Sequence, residues 1–438
     1  MHLARQGIEA TFVEKVPFPR YHIGESMTGE AAGRLRDLGL EERLLAAGHP
    51  VKHGVNVYGA ARDAWFVPVM QRTPEGRLVD QTTWQVRRSV FDAMLLDEAV
   101  SRGATLIPGK AVKPLTDDGG AVRGARIRSP EGALEVEAEI LVDCSGQATF
   151  LATHGVTGPK YLGAYDKQIA VFSQVAGFER DAGSDSDRTA MPGNTLIFYK
   201  RKFHWAWAIP LDRDVVSVGV VIPGQYFLDA GETKEQFLRR ELSELHPELA
   251  RRLPGFELVE DVHVIPNYSF QVRNFAGRGF ICVGDAHRFV DPIFSFGIDV
   301  ALHEALLVAE TVKRYLEAEG RDRDGLLREH VVRCERRIDV FEDVIDAFWE
   351  NPLAFAVFVH SRYRESMIDV FAGRNWGDDA AANDATRAFR QLLQRERSYD
   401  EEDLVSVPIG SRYHPERAPL WNAVLESVET TERWMRES

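Results

Sequence analysis

The run Phe280-Ile281-Cys282-Val283 is followed at once by Gly284-Asp285-Ala286. The loop Asp291-Pro292-Ile293-Phe294-Ser295-Phe296-Gly297 comes next, and then an apolar-periodic stretch from Ile298 to Val312. An apolar run closed by Gly, a Pro/Gly loop and a 3.6-residue period predict strand, loop and helix. A carboxylate just past a strand, with a helix N-terminus behind it, restricts both fold and ligand. Asp285 accepts from hydroxyls, and the helix entry at Pro292, Ser295 and Gly297 favours negative charge. That combination suits a polyol joined to an anionic ring system. An ordinary strand-turn-helix with a capping Asp has the same local pattern.

Trp205-Ala206-Trp207-Ala208-Ile209-Pro210 adds a second constraint. Residues two apart in a strand face the same side, so Trp205 and Trp207 build a wall that stops at Pro210. Aromatics are strand formers, and a plain core strand reads the same way. Strand-like runs surround it at 169–175, 195–199 and 215–221. Residues 1–155 alternate strand and helix patterns, as α/β architectures do. Residues 156–275 read as a mixed or antiparallel sheet, 276–320 return to the first domain, and 321–438 read as helical. Phe348, Trp349, Phe355, Phe358 and Val359 recur at helical spacing and are candidates for a pocket, although such stripes are more often core. The charged stretch 397–419 reads as an exposed loop.

At the N-terminus, Met1 to Gly7 reads as the last turns of a helix and Ile8 to Val13 as a strand ending at Glu14. An acidic residue there hydrogen-bonds the adenosine ribose in dinucleotide folds. The G-x-G-x-x-G turn that brings backbone to a pyrophosphate is not found ahead of it. The chain is expected to begin inside its own cofactor motif.

Taken together, W-x-W-x-I-P at 205–210, F-P-R-x-x-x-G-E-S at 18–26, G-D-A at 284–286 and D-P-x-x-S-x-G at 291–297 resemble the flavin-dependent halogenases. These belong to the FAD-dependent aromatic monooxygenase superfamily, and the chain resembles the shorter branch acting on phenols or pyrroles. The resemblance implies an α/β fold: a Rossmann-like FAD-binding domain, an inserted mixed β-sheet substrate domain and a helical C-terminal region. It implies reduced FAD, molecular oxygen and a halide, chloride or bromide, as reactants. Arg20 falls in the F-P-R segment. Arg88, in R-x-x-F-D, takes the place of a nucleotide contact. Val112, in Gly109-Lys110-Ala111-Val112, meets adenine through backbone atoms. Asp143 to Gly146 resembles the family's D-x-S-G turn. Asp285 binds the ribitol, and Pro292, Ser295 and Gly297 face the flavin ring.

The resemblance also assigns Lys52, in Val51-Lys52-His53-Gly54, to the K-x-G stretch. There a Lys captures hypohalous acid, as a chloramine or by hydrogen bond. Free hypohalous acid oxidises Met, Cys and Trp at random, so a single amine that directs it answers a chemical need. Burial depresses the pKa of a Lys and favours the reactive amine. Phe294 stands where tryptophan halogenases carry a Glu, which points away from the free-tryptophan branch. The base then remains open among Glu25, His53 and His287. The substrate is expected to be an aromatic small molecule or one bound to a carrier protein. A separate flavin reductase is expected, because no G-x-G-x-x-G is present for a nicotinamide. An FAD-dependent monooxygenase or reductase that does not halogenate, and a flavin-free truncated scaffold that only binds partners, are the alternatives.

Composition agrees with an enzyme of this size. A chain of 438 residues buries a large core, and 44% hydrophobic with 27% charged residues is ordinary for a globular protein. A net charge of −14 argues against nucleic-acid binding. Cys144, Cys282 and Cys334 lie far apart, which argues against a Cys-based zinc site and for a reducing compartment. No export segment or membrane-length apolar run is read, so a cytoplasmic protein is expected.

Overall fold

The computed structural model describes residues 1–394 apart from 60–63, 159, 164, 166, 185, 267 and 376–382, together with strand segments at 396–400, 405–409 and 420–421. Thr11–Glu14 pairs in parallel with Thr105–Pro108, and Leu141–Asp143 in parallel with Phe280–Cys282. Parallel pairs require long crossovers. The helices Gly29–Asp37 and Arg88–Ser101 lie between the first two of these strands. Helix Gly29–Asp37 starts where Thr28 accepts the Ala31 N–H at 3.3 Å, a side-chain cap for an otherwise unpaired donor. Lys110–Thr116, Val122–Ser129 and Gly132–Glu137 form an antiparallel sheet beside them. Helix Gly297–Glu317 packs Leu307, Val308 and Val312 against Phe275, Ile281 and Cys282.

An eight-stranded mixed sheet forms the second layer. Its order is Glu257–Leu258, Gln168–Ala176, Val215–Pro223, His204–Pro210, Thr195–Arg201, Gly54–Tyr58 and Ala64–Pro68, with His263–Pro266 also paired to Gln168–Ala176. Thr195–Arg201 and Gly54–Tyr58 run parallel; the other pairs are antiparallel. The sheet therefore draws two strands from the segment 1–155. Its central strands are buried on both faces, which explains their continuous apolar runs. On one face Ala206, Ala208, Val216 and Val218 meet Phe237, Leu238 and Leu242 of helix Lys234–Glu244. That helix opens with a capping box between Thr233 and Gln236. On the other face Trp205, Trp207 and Ile209 pack with Val290, Ile293 and Phe296, and with Phe341 and Trp349. Gly219 pairs with Trp207, and a Cβ there would lie 2.3 Å from the indole. Only Gly admits the ring at that register.

The C-terminal region begins with the 30-residue helix Arg321–Glu350. Pro352–Val357, a π turn at Phe358–Arg362, Arg364–Ala372 and Asp384–Leu392 follow. Of the aromatic stripe, Trp349, Phe355 and Val359 are core, while Phe348 and Phe358 are partly buried against it. Glu396–Asp400 and Val405–Ile409 pair antiparallel inside the stretch expected to be a loop. Val405, Val407 and Ile409 alternate with a period of two, the strand pattern that charge content obscured. The remainder of that stretch lies outside the described residues. No helix among the described residues is long and apolar enough to cross a membrane.

Candidate active site

Four consecutive residues, Gly24 to Met27, connect the two layers. Gly24 has φ +92, and a Cβ there would come within 3.1 Å of Arg88 Nη1. The Arg88 guanidinium donates to the carbonyls of Ile23 and Gly24 at 2.7 and 3.1 Å and is braced by Asp92 at 2.6 and 3.0 Å. Glu25 reaches the large sheet, where Gln174 Nε2 donates to it at 3.0 Å. The Oγ of the next residue, Ser26, accepts from Lys52 Nζ at 2.8 Å.

Lys52 is 4% exposed. Its amine donates to Ser26 Oγ and, at 3.1 Å, to the Met27 carbonyl, and burial pulls its pKa down to about 7. Ser26 Oγ also lies 3.0 Å from Thr195 Oγ1, which accepts from Gln85 Nε2 at 2.7 Å. Glu25 is 1% exposed. Burial pushes its pKa up to about 7 against the opposing pull of Ser217, Gln174, Arg88 and Arg87. Ser217 Oγ in turn accepts from Trp207 Nε1 at 3.2 Å. Trp205 and Trp207 lie side by side, their centroids 5.8 Å apart and both buried. A buried amine near neutral pKa, a carboxyl near neutral pKa and a double-indole wall thus converge on one segment.

On the other layer, Asp285 sits in the 3₁₀ turn Gly284–Ala286, half-buried at the end of strand Phe280–Cys282. Burial raises its pKa to about 7, with Arg88 pulling the other way. Among the described residues no hydrogen bond to its carboxylate is seen. Asp291 caps the turn Pro292–Phe294 by accepting the Ile293 N–H at 2.9 Å, and Ser295 follows in left-handed backbone, φ 59. Gly297 opens the helix behind it. Glu14 accepts the Val16 N–H at 3.0 Å and faces Arg20 at 3.4 Å. Val112 lies in strand Lys110–Thr116, its carbonyl 2.9 Å from His154 Nε2. A half-buried hydroxyl acceptor, a glycine that a Cβ would crowd against Arg88, and a helix entry suit the ribityl and ring portions of a flavin.

Of the other base candidates, His287 is fully enclosed with both nitrogens engaged, and His53 is half-buried on the Lys52 segment. Gln174, Ser217, Thr195 and Gln85 were not anticipated from sequence. The available sign was a polar residue interrupting an apolar strand, as Gln174 does in 168–176 and Ser217 in 215–223.

The two-layer fold and this site define a flavin-dependent oxidoreductase of the aromatic monooxygenase superfamily. The tryptophan halogenase family model matches residues 56–417, and the chain belongs to that family, the flavin-dependent halogenases. It is 33% identical over 403 residues to the 1H-pyrrole-2-carbonyl-[peptidyl-carrier protein] brominase of Pseudoalteromonas luteoviolacea, covering 92% of this chain and 93% of the relative. It is 27% identical over 402 residues to the corresponding chlorinase of Pseudomonas fluorescens, covering 85% of each. The solved structure of the flavin-dependent brominase Bmp2 superposes with a TM-score of 0.82 at 32% identity, covering 90% of this chain and 94% of that one.

Proposed function

We propose that this enzyme halogenates an electron-rich aromatic ring, a pyrrole or a phenol, presented on a carrier protein. The observation that carries the reading is the enclosed Lys52 amine, held by Ser26 beside Glu25, a buried carboxyl that accepts from Gln174 of the Trp-bearing sheet. Support for a carrier-bound pyrrole comes from the relatives named above and from Phe294 in place of a Glu. Glu14, Arg20, Arg88, Val112 and Asp285 are the residues that would hold FAD, with Pro292, Ser295 and Gly297 facing its ring. Reduced FAD with molecular oxygen supplies the two-electron oxidation of chloride or bromide to hypohalous acid. A separate flavin reductase delivers the reduced cofactor.

The chain's own residues then have distinct tasks. Trp205 and Trp207 keep the arene away from the flavin cleft. Lys52 receives the oxidant: near pKa 7 a substantial fraction of its amine is unprotonated at neutral pH. Glu25 takes the ring proton as the carbon–halogen bond forms and the halogen–oxygen bond breaks, a task suited to a carboxyl near neutrality. That proton and the departing hydroxide leave as water.

The test supplies reduced FAD, oxygen and bromide with pyrrole-2-carbonyl carrier protein, the free pyrrole acid and a phenol panel. Brominated product is expected from a carrier-bound ring. Lys52→Ala is expected to lower that rate at least about a thousandfold, roughly 4 kcal/mol of barrier, while taking up FAD normally. Hydroxylated product alone, or full bromination by Lys52→Ala, sinks the reading.

A further inference from the structure

His287 follows directly on the Gly284–Ala286 turn, 0% exposed, with its ring 3.5 Å from that of Phe275. Both ring nitrogens meet carboxylates. Nδ1 lies 3.1 Å from Glu304 Oε1, and Nε2 lies 2.8 Å from Glu335 Oε1. The second oxygen of Glu304 accepts the Gly284 N–H at 2.6 Å. Glu304 stands on helix Gly297–Glu317 and Glu335 on helix Arg321–Glu350. Gly284 has φ +60, and a Cβ there would sit 3.4 Å from Ala301 Cβ, so the turn is pressed onto the first of these helices. Arg288 donates to the far oxygen of Glu335 at 2.6 Å, which leaves Glu335 ionised.

Ionised carboxylates only accept hydrogen bonds, so an imidazole between two of them makes both bonds only as imidazolium. Bonds of that kind are about twice as strong as neutral ones. Burial by itself disfavours the cation, but the two glutamates outweigh it and the His287 pKa is raised.

The geometry points to His287 as a positioning residue for the cofactor: as a fixed cation it holds Glu304 against the Gly284 N–H, and so sets where the Asp285 carboxylate points. Through Glu335 the same ring ties that turn to the C-terminal helices. With no open nitrogen, it takes no part in proton transfer from the substrate. The inference rests on the reading of Asp285 as a flavin contact.

The experiment titrates FAD into flavin-free full-length protein, without reductant or substrate, and follows flavin fluorescence. An Asn amide reproduces the Nδ1 donor and a Gln amide the Nε2 donor. His287→Asn is expected to stay within about threefold of the wild-type Kd, whereas His287→Gln and His287→Ala raise it about tenfold. Glu335→Gln is expected to follow Asn, and Glu304→Ala to follow Gln. Circular dichroism checks that each variant is folded, and the Glu335→Gln and Glu304→Ala pair decides if the His287 variants do not fold. A packing role alone places Gln, nearer to His in volume, level with Asn or ahead of it, and that order overturns the proposal. Wild-type Kd in every variant also overturns it and leaves the flavin reading intact. Wild-type protein that takes up no FAD overturns both.

Discussion

An ammonium group enclosed by protein loses its hydration, and Lys52 shows the consequence. Its pKa is about 7 in the fold, against about 10.4 in unfolded chain. Between those values the unfolded state binds a proton that the folded state lacks, so the residue's contribution to stability rises with pH across this window and is a constant cost below it. Lys52→Met is therefore expected to be more stable than wild type at pH 7, by a few kcal/mol. The advantage should shrink as pH approaches 10. Urea unfolding at pH 7 and pH 9.5 checks this, and an advantage that grows with pH contradicts it. The identity of this residue as a candidate was legible in K-x-G beside G-E-S. Its partners were not: Ser26 is 26 positions away and Thr195 a further 169 from Ser26, and no local pattern encodes that meeting.

Phe341, Val344, Ile345 and Phe348 recur at helical spacing and lie on helix Arg321–Glu350. Carboxylates and arginines three or four apart usually form the outer, solvated surface of a helix. Instead Glu335, Arg337, Asp339, Glu342, Asp343 and Asp346 are all buried. Arg288, just past the Gly284–Ala286 turn, donates to Glu335, Asp339 and Glu342 at 2.6, 3.1 and 2.8 Å, and Arg337 pairs with Asp299. Removing one member of such a set strands uncompensated charge. Arg288→Ala is expected to cost about 3–5 kcal/mol. Arg239→Ala, which breaks the exposed pair with Glu235, is expected to cost less than about 0.5 kcal/mol. Chemical denaturation of both variants tests the contrast, and equal losses contradict it.

Across the whole molecule, the Gly284–Ala286 turn packs on helices Gly297–Glu317 and Arg321–Glu350, and the Trp-bearing sheet meets the second of these as well. Such shared packing couples the layers into one cooperative unit. FAD at about a hundred times its Kd is expected to add about 2.7 kcal/mol to a single thermal transition detected alike by circular dichroism and tryptophan fluorescence. A second transition that FAD leaves unmoved contradicts the coupling.

Neighbours along the chain were enough for the local grammar: period-two and 3.6-residue patterns that made strands and helices, turn residues that ended them, and motif runs that marked the family. Strands 54–58 and 64–68 joining the Trp sheet, the burial of a charged helix face and the two carboxylates closing on His287 were decided only by tertiary structure. Burial depends on what lies across the interface, and desolvation, which moves Lys52, Glu25 and Asp285 all to about 7, comes into being only when distant segments exclude water together.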